Sequence, residues 1–457
     1  MSHSLPTGYV AANLMSINMG LKIVHRYYLF EYKVKKAWWA FSRSSADRAD
    51  LWAKILLRQW PKARRLSRMY RITLARSPRV VTVIGSLGKT TTARAVSAAL
   101  GLPAETINGN NEYTYVALAL LRILPWQRHG VIEVGIGGKG QMVQYSSALR
   151  PDIVVVTSIA SEHILSLGSL EEIREEKSVM VRGLSPSGVA VLNGDDPHVV
   201  WMKNSTMARV ITFGFGDAND VRASDLRFDW PFGMRFRIHA TGTTREARTR
   251  FIGRTFVYST LAAVAVALAE GCPLDLILAR LEGLQPTPER LQPLLLDNGA
   301  WLLRDDFKST LETVDVALDV LEQIPARRKF VILGGVTELM ENQGPVYRRL
   351  GARVAGIADS AIFWGTKCQP YASGAARAGL PRSAITKADL NFDKALAAIP
   401  LDLGQGDVVL IKGKPAQRLG RFALVLMGRK VTCKISSCTL FDSIRCDRCD
   451  LLERGEH

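Results

Sequence analysis

Residues 80–92 read VVTVIGSLGKTTT: an apolar, β-branched run meets a glycine-bounded turn and then Gly88-Lys89-Thr90. The run reads as a buried parallel strand and the subsequent ARAVSAAL as a helix. The spacing therefore predicts a strand delivering the backbone into a phosphate-cradling loop at a helix start. Gly85 and Gly88 let the backbone approach an anion closely, and the loop N–H groups and helix dipole receive phosphate oxygens. Lys89 reaches the β and γ phosphates, and Thr90, with Thr91 beside it, offers a hydroxyl to Mg²⁺. A nucleotide is the ligand expected. In the common GxxxxGK[ST] spacing the first position is glycine; here it is Val83, which marks a shorter loop.

With 457 residues the chain exceeds one typical core, and two to four domains are expected. Hydrophobic residues make up 47% and charged residues 22%, a globular balance. The formal charge is +18, of which +12 lies in residues 1–76, where 15 Lys/Arg face 3 Asp/Glu. That segment interleaves cations with aromatics, as in Lys35-Lys36-Ala37-Trp38-Trp39, and helical spacing runs from Met15 to Phe41 and from Ala46 to Ser67, with Pro61 interrupting. Three readings stay open, in this order: peripheral contact with an anionic membrane or a lipid-linked acceptor, a helical cap on the next domain, and nucleic-acid binding. No cleavable signal peptide and no long uncharged apolar span are read in the sequence. The cysteine usage suits a reducing cytoplasm.

From residue 79 to 283 strands alternate with helices, the pattern of an α/β domain with a mostly parallel sheet. Strands are expected at Val80–Ile84, Gly130–Val134, Ile153–Ile159, Val189–Leu192 and Arg209–Phe213. An antiparallel ribbon is expected within 221–252, then a helix at Thr255–Ala269. A second, smaller Rossmann-like α/β unit is expected over 288–430. Its strands are Trp301–Leu303, Phe330–Leu333, Ser360–Phe363 and Val408–Ile411, and its helices Leu311–Gln323, Val346–Ile357 and Ala416–Leu426. The expected division is thus 1–76, 77–287, 288–430 and a tail, 431–457.

Four features of the first unit carry chemistry. Glu133 ends an apolar strand, where α/β sheets place their ligands, and its carboxylate suits Mg²⁺. His163 comes after the strand DIVVVTSI, Lys177 lies in the helix after Ser169, and Asn193-Gly194-Asp195-Asp196 closes the next strand. Taken singly, each also reads as a turn cap, a structural histidine or a solvated cation. Their order along the chain is what distinguishes them.

With these features the chain resembles the Mur ligase family, ATP-dependent amide-forming enzymes of peptidoglycan assembly, over residues 79–430. The loop Gly85 to Thr92 is similar to the family's TGxxGKT[ST]T form, with Ile84 in place of Thr. Asn108-Gly109-Asn110-Asn111 resembles an asparagine-rich turn of the D-alanyl-D-alanine-adding branch, and His163 to Lys177 resembles the family's H-L-x-x-x-G-S-x-E…K segment. The resemblance implies Mg²⁺ at Thr90, Glu133, His163 and a carbamylated Lys177, and catalysis by Lys89, Glu133, His163 and Lys177. It implies nucleotide contacts from Asn193, from Arg290 in Pro288-Glu289-Arg290-Leu291-Gln292, and from Asp305 or Asp306 to the ribose. Substrate contacts are implied for Asn110, Asn111, Lys308, Thr310 and Lys412. Asp306-Phe307-Lys308-Ser309-Thr310 is similar to the D-S-K-A-T run of the glutamate-adding branch, whereas Leu333 to Leu339 and Ile411 to Lys414 resemble the D-alanyl-D-alanine-adding branch. The amine donor implied is an amino acid or dipeptide.

Three departures stand out. The basic 76-residue segment stands where the family's UDP-sugar-binding domain is expected, which points to a carboxylate acceptor other than the usual UDP-muramoyl peptide, lipid-linked or anionic. Gly253-Arg254-Thr255-Phe256-Val257-Tyr258-Ser259 lacks the His and Asn of the family's adenine-side motif, and Ser158 replaces an Asn. The expected activity is ATP-dependent carboxylate–amine ligation through an acyl phosphate. The alternatives are a non-ligating ATP-binding scaffold and a polynucleotide-dependent ATPase. In the tail, Cys433, Cys438, Cys446 and Cys449 form the pattern C-x4-C-x7-C-x2-C, open to structural Zn²⁺, free thiols or disulfides.

Overall fold

β1 (Arg79–Ile84) is buried from Val80 onward and lies between β2 (His129–Glu133) and β3 (Ile153–Val156), parallel to both. The computed structural model describes residues 45–104, 111–339, 343–438, 445–449 and 451–454. β4 (Val189–Asn193) and β5 (Arg209–Gly214) continue the parallel sheet. β6 (Val221–Asp229), β7 (Gly233–Ala240) and β8 (Thr243–Thr249) extend it as an antiparallel meander, in the order β2-β1-β3-β4-β5-β6-β7-β8. Alternation along a strand explains why the run is apolar on both sides. Val81 and Val83 enter a core shared with the helix Val257–Ala269, and Val80 and Ile84 enter the opposite core. The strand order reverses at β1/β3, and open α/β sheets bind ligands beyond the carboxyl ends at such a point.

β3 stops at Val156 although the apolar run continues to Ile159, because the next residues are used to brace the loop after β1. Thr157 Oγ1 donates to Leu87 O (2.6 Å), and Ser86 N donates to Ser158 O (2.7 Å). The helix Ser45–Ile72 runs through Pro61 rather than breaking there, because tertiary contacts hold it on both sides of the proline. Trp60 is buried and its Nε1 donates to Gln144 Oε1 (2.8 Å), while Arg71 donates to Leu149 O (3.0 Å) and pairs with Asp152 (2.7 Å). Residues 1–44, including the expected helix Met15–Phe41, lie outside the described residues. No described helix is long and apolar enough to cross a membrane.

The second sheet is built from β9 (Gln292–Leu295), β10 (Trp301–Asp305), β11 (Arg328–Leu333), β12 (Ser360–Trp364), β13 (Ile385–Asp389) and β14 (Asp407–Lys412). The order is β13-β12-β11-β14-β10-β9, with only β9 antiparallel. β9, β13 and the helix Cys368–Arg377 were not expected from the sequence. In the tail, Cys433, Cys438, Cys446 and Cys449 form no disulfide among the described residues. Among the described residues no three His, Cys, Asp or Glu side chains could hold a metal ion, so the expected Zn²⁺ ligation and disulfides find no support. The tail is tied down by Arg421, fully buried, whose guanidinium donates to Cys433 O and Ile435 O (both 2.7 Å), and by the pair Arg445–Glu289 (2.7 Å).

Candidate active site

The loop after β1 has the conformation its glycines were expected to supply. Gly85 sits at φ 136°, and a Cβ there would fall 2.0 Å from Thr157 Oγ1, so the position accepts only glycine. Gly88, at φ 79°, caps the helix Lys89–Ala99. Thr90 is half-buried at the helix start, Thr91 is buried beside it, and Thr92 Oγ1 donates to Ser259 Oγ (2.9 Å) at the start of the helix Val257–Ala269.

Cations from three parts of the chain converge on this loop. Lys89 Nζ donates to Ser86 O (3.0 Å), the buried Lys177 Nζ donates to Ser86 Oγ (2.8 Å), and from the second unit Lys308 Nζ donates to Ser86 O (2.9 Å). Between them lies Glu162, a residue the sequence reading passed over. Its carboxylate pairs with Lys89 (2.8 Å) and with Lys308, and His163 Nε2 stands 3.7 Å away. The surrounding lysines hold the Glu162 carboxyl far below the usual carboxylate range, in spite of its desolvation. Burial, with Lys89 adding, pushes the Lys177 amine well below the ordinary lysine range. The His163 imidazole is held down to about 4, mainly by desolvation, and so is neutral near pH 7 with a ring nitrogen suited to a metal.

Glu133 ends β2 beside Val83 of β1. Asn111 Nδ2 donates to Glu133 Oε1 (2.6 Å), whereas Glu133 Oε2 is buried with no hydrogen-bond partner. A buried carboxylate oxygen left unpaired is costly, and a hard cation would satisfy it. Asn110 lies outside the described residues. Arg290 stacks over Phe307 (4.0 Å), and Glu133 is among the carboxylates acting on it, so it faces the site from the linker between the two units.

The remaining sequence-derived residues are engaged elsewhere. Asn193 donates its amide to Thr157 O (2.8 Å) and accepts from Asp195 N (3.1 Å), which joins the ends of β3 and β4. Thr310 is buried at the start of the helix Leu311–Gln323. Asp305 pairs with Lys412 (2.7 Å) and accepts from Leu291 N (3.2 Å), and Asp306 pairs with Arg304 (2.8 Å). Both carboxylates are thus held in internal pairs, and Lys412, whose side chain is 1% exposed, also donates to Lys308 O (2.6 Å). Lys412 therefore positions Lys308. Lys412→Met is expected to destabilise the second unit by about 3–5 kcal/mol, because Asp305 is left charged, buried and unpaired. Adding Asp305→Leu should return most of that loss, measured by urea unfolding; a single variant as stable as the parent would contradict the pairing.

With this geometry in place, comparison with known proteins is direct. Residues 83–267 match the Mur ligase middle domain and residues 289–415 the Mur ligase, glutamate ligase domain. The chain is 29% identical over 373 residues to UDP-N-acetylmuramoyl-tripeptide–D-alanyl-D-alanine ligase of Mycobacterium bovis, covering 76% of this chain and 72% of that protein. Its fold superposes on MurF from Acinetobacter baumannii with a TM-score of 0.70 at 24% identity, covering 81% of each chain. It superposes on the MurF ligase from Thermotoga maritima in complex with ADP with a TM-score of 0.67 at 20% identity, covering 81% of this chain and 83% of that one. Carrying both domains in order along one chain, around a shared phosphate loop, this protein belongs to the Mur ligase family.

Proposed function

We infer that this chain is an ATP-dependent ligase that joins a carboxylate to an amine on the pattern of relatives named for adding D-alanyl-D-alanine to UDP-N-acetylmuramoyl-tripeptide. The observation that carries the reading is the convergence of Lys89, Lys177 and, from the second unit, Lys308 on Ser86 and Glu162. A carboxylate oxygen of the acceptor attacks the γ-phosphorus of ATP, ADP leaves, and an acyl phosphate forms. The amine then attacks the acyl carbon, phosphate leaves, and the ammonium proton is lost. Lys89 and Lys308 hold the phosphoryl oxygens during the first step, and Lys308 can do so only while the second unit is closed over the loop, which also excludes water. Residues 77–287 are thus the ATP-binding unit, and residues 288–430 close on it with the amine.

Thr90, Glu133, His163 and a carbamylated Lys177 are the residues that would hold Mg²⁺. Bound there, it would offset charge on the transferring phosphoryl group. The orphaned Glu133 Oε2 and the neutral His163 fit that role. Lys177, whose amine burial and the neighbouring cations push well below the ordinary lysine range, is poised as the nucleophile CO₂ requires, and the carbamate would place an anion among Lys89 and Lys308. ¹³C-bicarbonate with carbon NMR tests this last assignment.

The acceptor taken first is the UDP-N-acetylmuramoyl-tripeptide of the relatives' names. A lipid-linked or anionic acceptor, and with it peripheral membrane contact, rests on the composition of residues 1–76 alone. Incubation with ATP, this acceptor and hydroxylamine should give an acyl hydroxamate, and replacing hydroxylamine with D-alanyl-D-alanine should give the amide. ATP binding without turnover or either product would instead favour a nucleotide-binding scaffold, a reading supported by the internal pairing of Asp305 and Asp306. Lys308 sets a further expectation. Its amine is held down to about 8, chiefly by withdrawal from water with Glu162 pulling the other way, so its charge is present below that pH and lost above it. The kcat/KM profile, which reports the free enzyme, should fall as pH rises through about 8, and Lys308→Arg should shift that limb upward.

A further inference from the structure

The composition of residues 1–76 ties membrane contact to a lipid-linked acceptor, and the fold separates the two. The helix Ser45–Ile72 turns Trp60, Ala63, Ser67 and Arg71 inward and leaves Lys62, Arg65, Met69 and Ile72 on the outside. Its last turn lies against the turn after the helix Thr114–Leu121. There Tyr70 Oη donates to Ile123 O (2.6 Å), and further along Arg79 N donates to Arg128 O (2.9 Å). These bonds set two exposed stretches side by side, with Met69 (62% exposed), Ile72 and Leu74 on one and Trp126 (61%) on the other. The surface around them is of one sign. Residues 59–79 contain seven Lys/Arg and residues 119–130 two, with no Asp or Glu in either stretch, and Arg65, Arg76, Arg122 and Arg128 are exposed. Two carboxylates pair with these stretches, and both are spent on groups at the strand ends. Asp152 pairs with Arg71 (2.7 Å), and the buried Glu270 side chain pairs with Arg79 and His129 (both 2.8 Å).

Aliphatic side chains gain nothing from phosphates or base edges and much from hydrocarbon, while arginines are drawn to anionic headgroups. The mixture therefore suits a lipid surface better than a nucleic acid. A second copy would set like charges face to face, and the chain's own residues 1–44, with six Lys/Arg against one Asp/Glu, carry the same sign. The face lies at the amino ends of β1 and β2, which begin at Arg79 and His129, whereas the phosphate loop follows the carboxyl end of β1. The six residues of β1 rise about 20 Å between them. A bilayer on this face leaves the loop opening away from it, within reach of soluble nucleotide and acceptor.

We propose that Met69, Ile72, Leu74 and Trp126, set among arginines, dock the protein on an anionic phospholipid bilayer with the phosphate loop turned to the aqueous side. Co-sedimentation of the full chain with sucrose-loaded vesicles tests it, the lipid being phosphatidylcholine alone or an equal mixture with phosphatidylglycerol. The mixture is expected to bind at least about tenfold tighter, and added salt to erase the difference. A cation at such a surface is worth about fivefold, so Arg65→Gln with Arg76→Gln should weaken binding by at least about tenfold. Met69→Gln with Trp126→Gln should weaken it by at least about fivefold, through lost insertion at the headgroups. Both pairs change exposed side chains, so they should melt like the parent and match its hydroxamate yield with soluble acceptor and no lipid. A parent that forms no hydroxamate fails the ligase reading and leaves this one standing. Equal binding to both lipids overturns the proposal. So do paired variants that sediment like the parent, which would place attachment in residues 1–44, and a face that binds single-stranded polynucleotide while ignoring vesicles.

Discussion

Lys89→Ala is expected to lower ATP-dependent ligation by about 10²–10³-fold or more, the loss seen when one preorganised charge donor is removed from a developing oxyanion. The reason is positional. The lysine is anchored by Ser86 O and Glu162 at the loop whose glycines admit the phosphates, and it adopts this arrangement before any nucleotide arrives. Its removal should leave the fold standing, because Glu162 keeps its pair with Lys308 and the strand beneath stays packed in two cores. The measurements are single-turnover acyl-phosphate formation, trapped as hydroxamate, beside a thermal melt. An unchanged rate with an unchanged melt would remove Lys89 from the chemistry. A collapsed melt would make it a structural residue.

The loop, Glu133 and Lys177 were legible in the sequence because each is tied to a strand or helix whose apolar pattern is strong. β1 announces itself by β-branched burial, and the residues just past its carboxyl end inherit the site. The weaker elements were missed for a physical reason: β9, containing Pro293, and β13, with Lys387 and Asp389, are the two edges of the second sheet, where proline and charge are tolerated and the apolar signal fades. Asp305, Asp306 and Lys412 show the converse. Their residue types suggest ligand contacts, but only the fold reveals that the charges neutralise one another inside it. Glu162 was missed because its meaning lies in its partners. Lys89 and Lys308 come from opposite ends of the site, and a carboxylate beside a histidine in the sequence does not show that cations surround it.

Those surroundings predict what Glu162→Gln will do. In the free protein its carboxylate lies between Lys89 and Lys308, with Lys177 and His163 close enough to act on it. Neutralising it leaves like charges facing one another at a partly buried site, a loss of about 3–5 kcal/mol when one partner of such a cluster is removed. The sign with pH is set by the depressed Glu162 pKa. Its contribution is complete above the unfolded carboxylate value of about 4 and is lost as pH falls through the lower folded value, so the gap between parent and variant should be full at pH 7 and close in acid. A nucleotide reverses the comparison. Its phosphates supply the anion that glutamine does not, and they need not displace a resident carboxylate, so ATP should raise the variant's melting temperature by more than the parent's. Melts with and without nucleotide from pH 8 down to about pH 2 decide the matter. Equal stability and equal ATP shifts would show that Glu162 is not the counter-ion of the free site, and lost nucleotide binding would make it part of the binding surface. The expected pattern, a weaker free protein that gains more from ATP, would mean that the chain carries its own stand-in for phosphate and gives it up when the substrate binds.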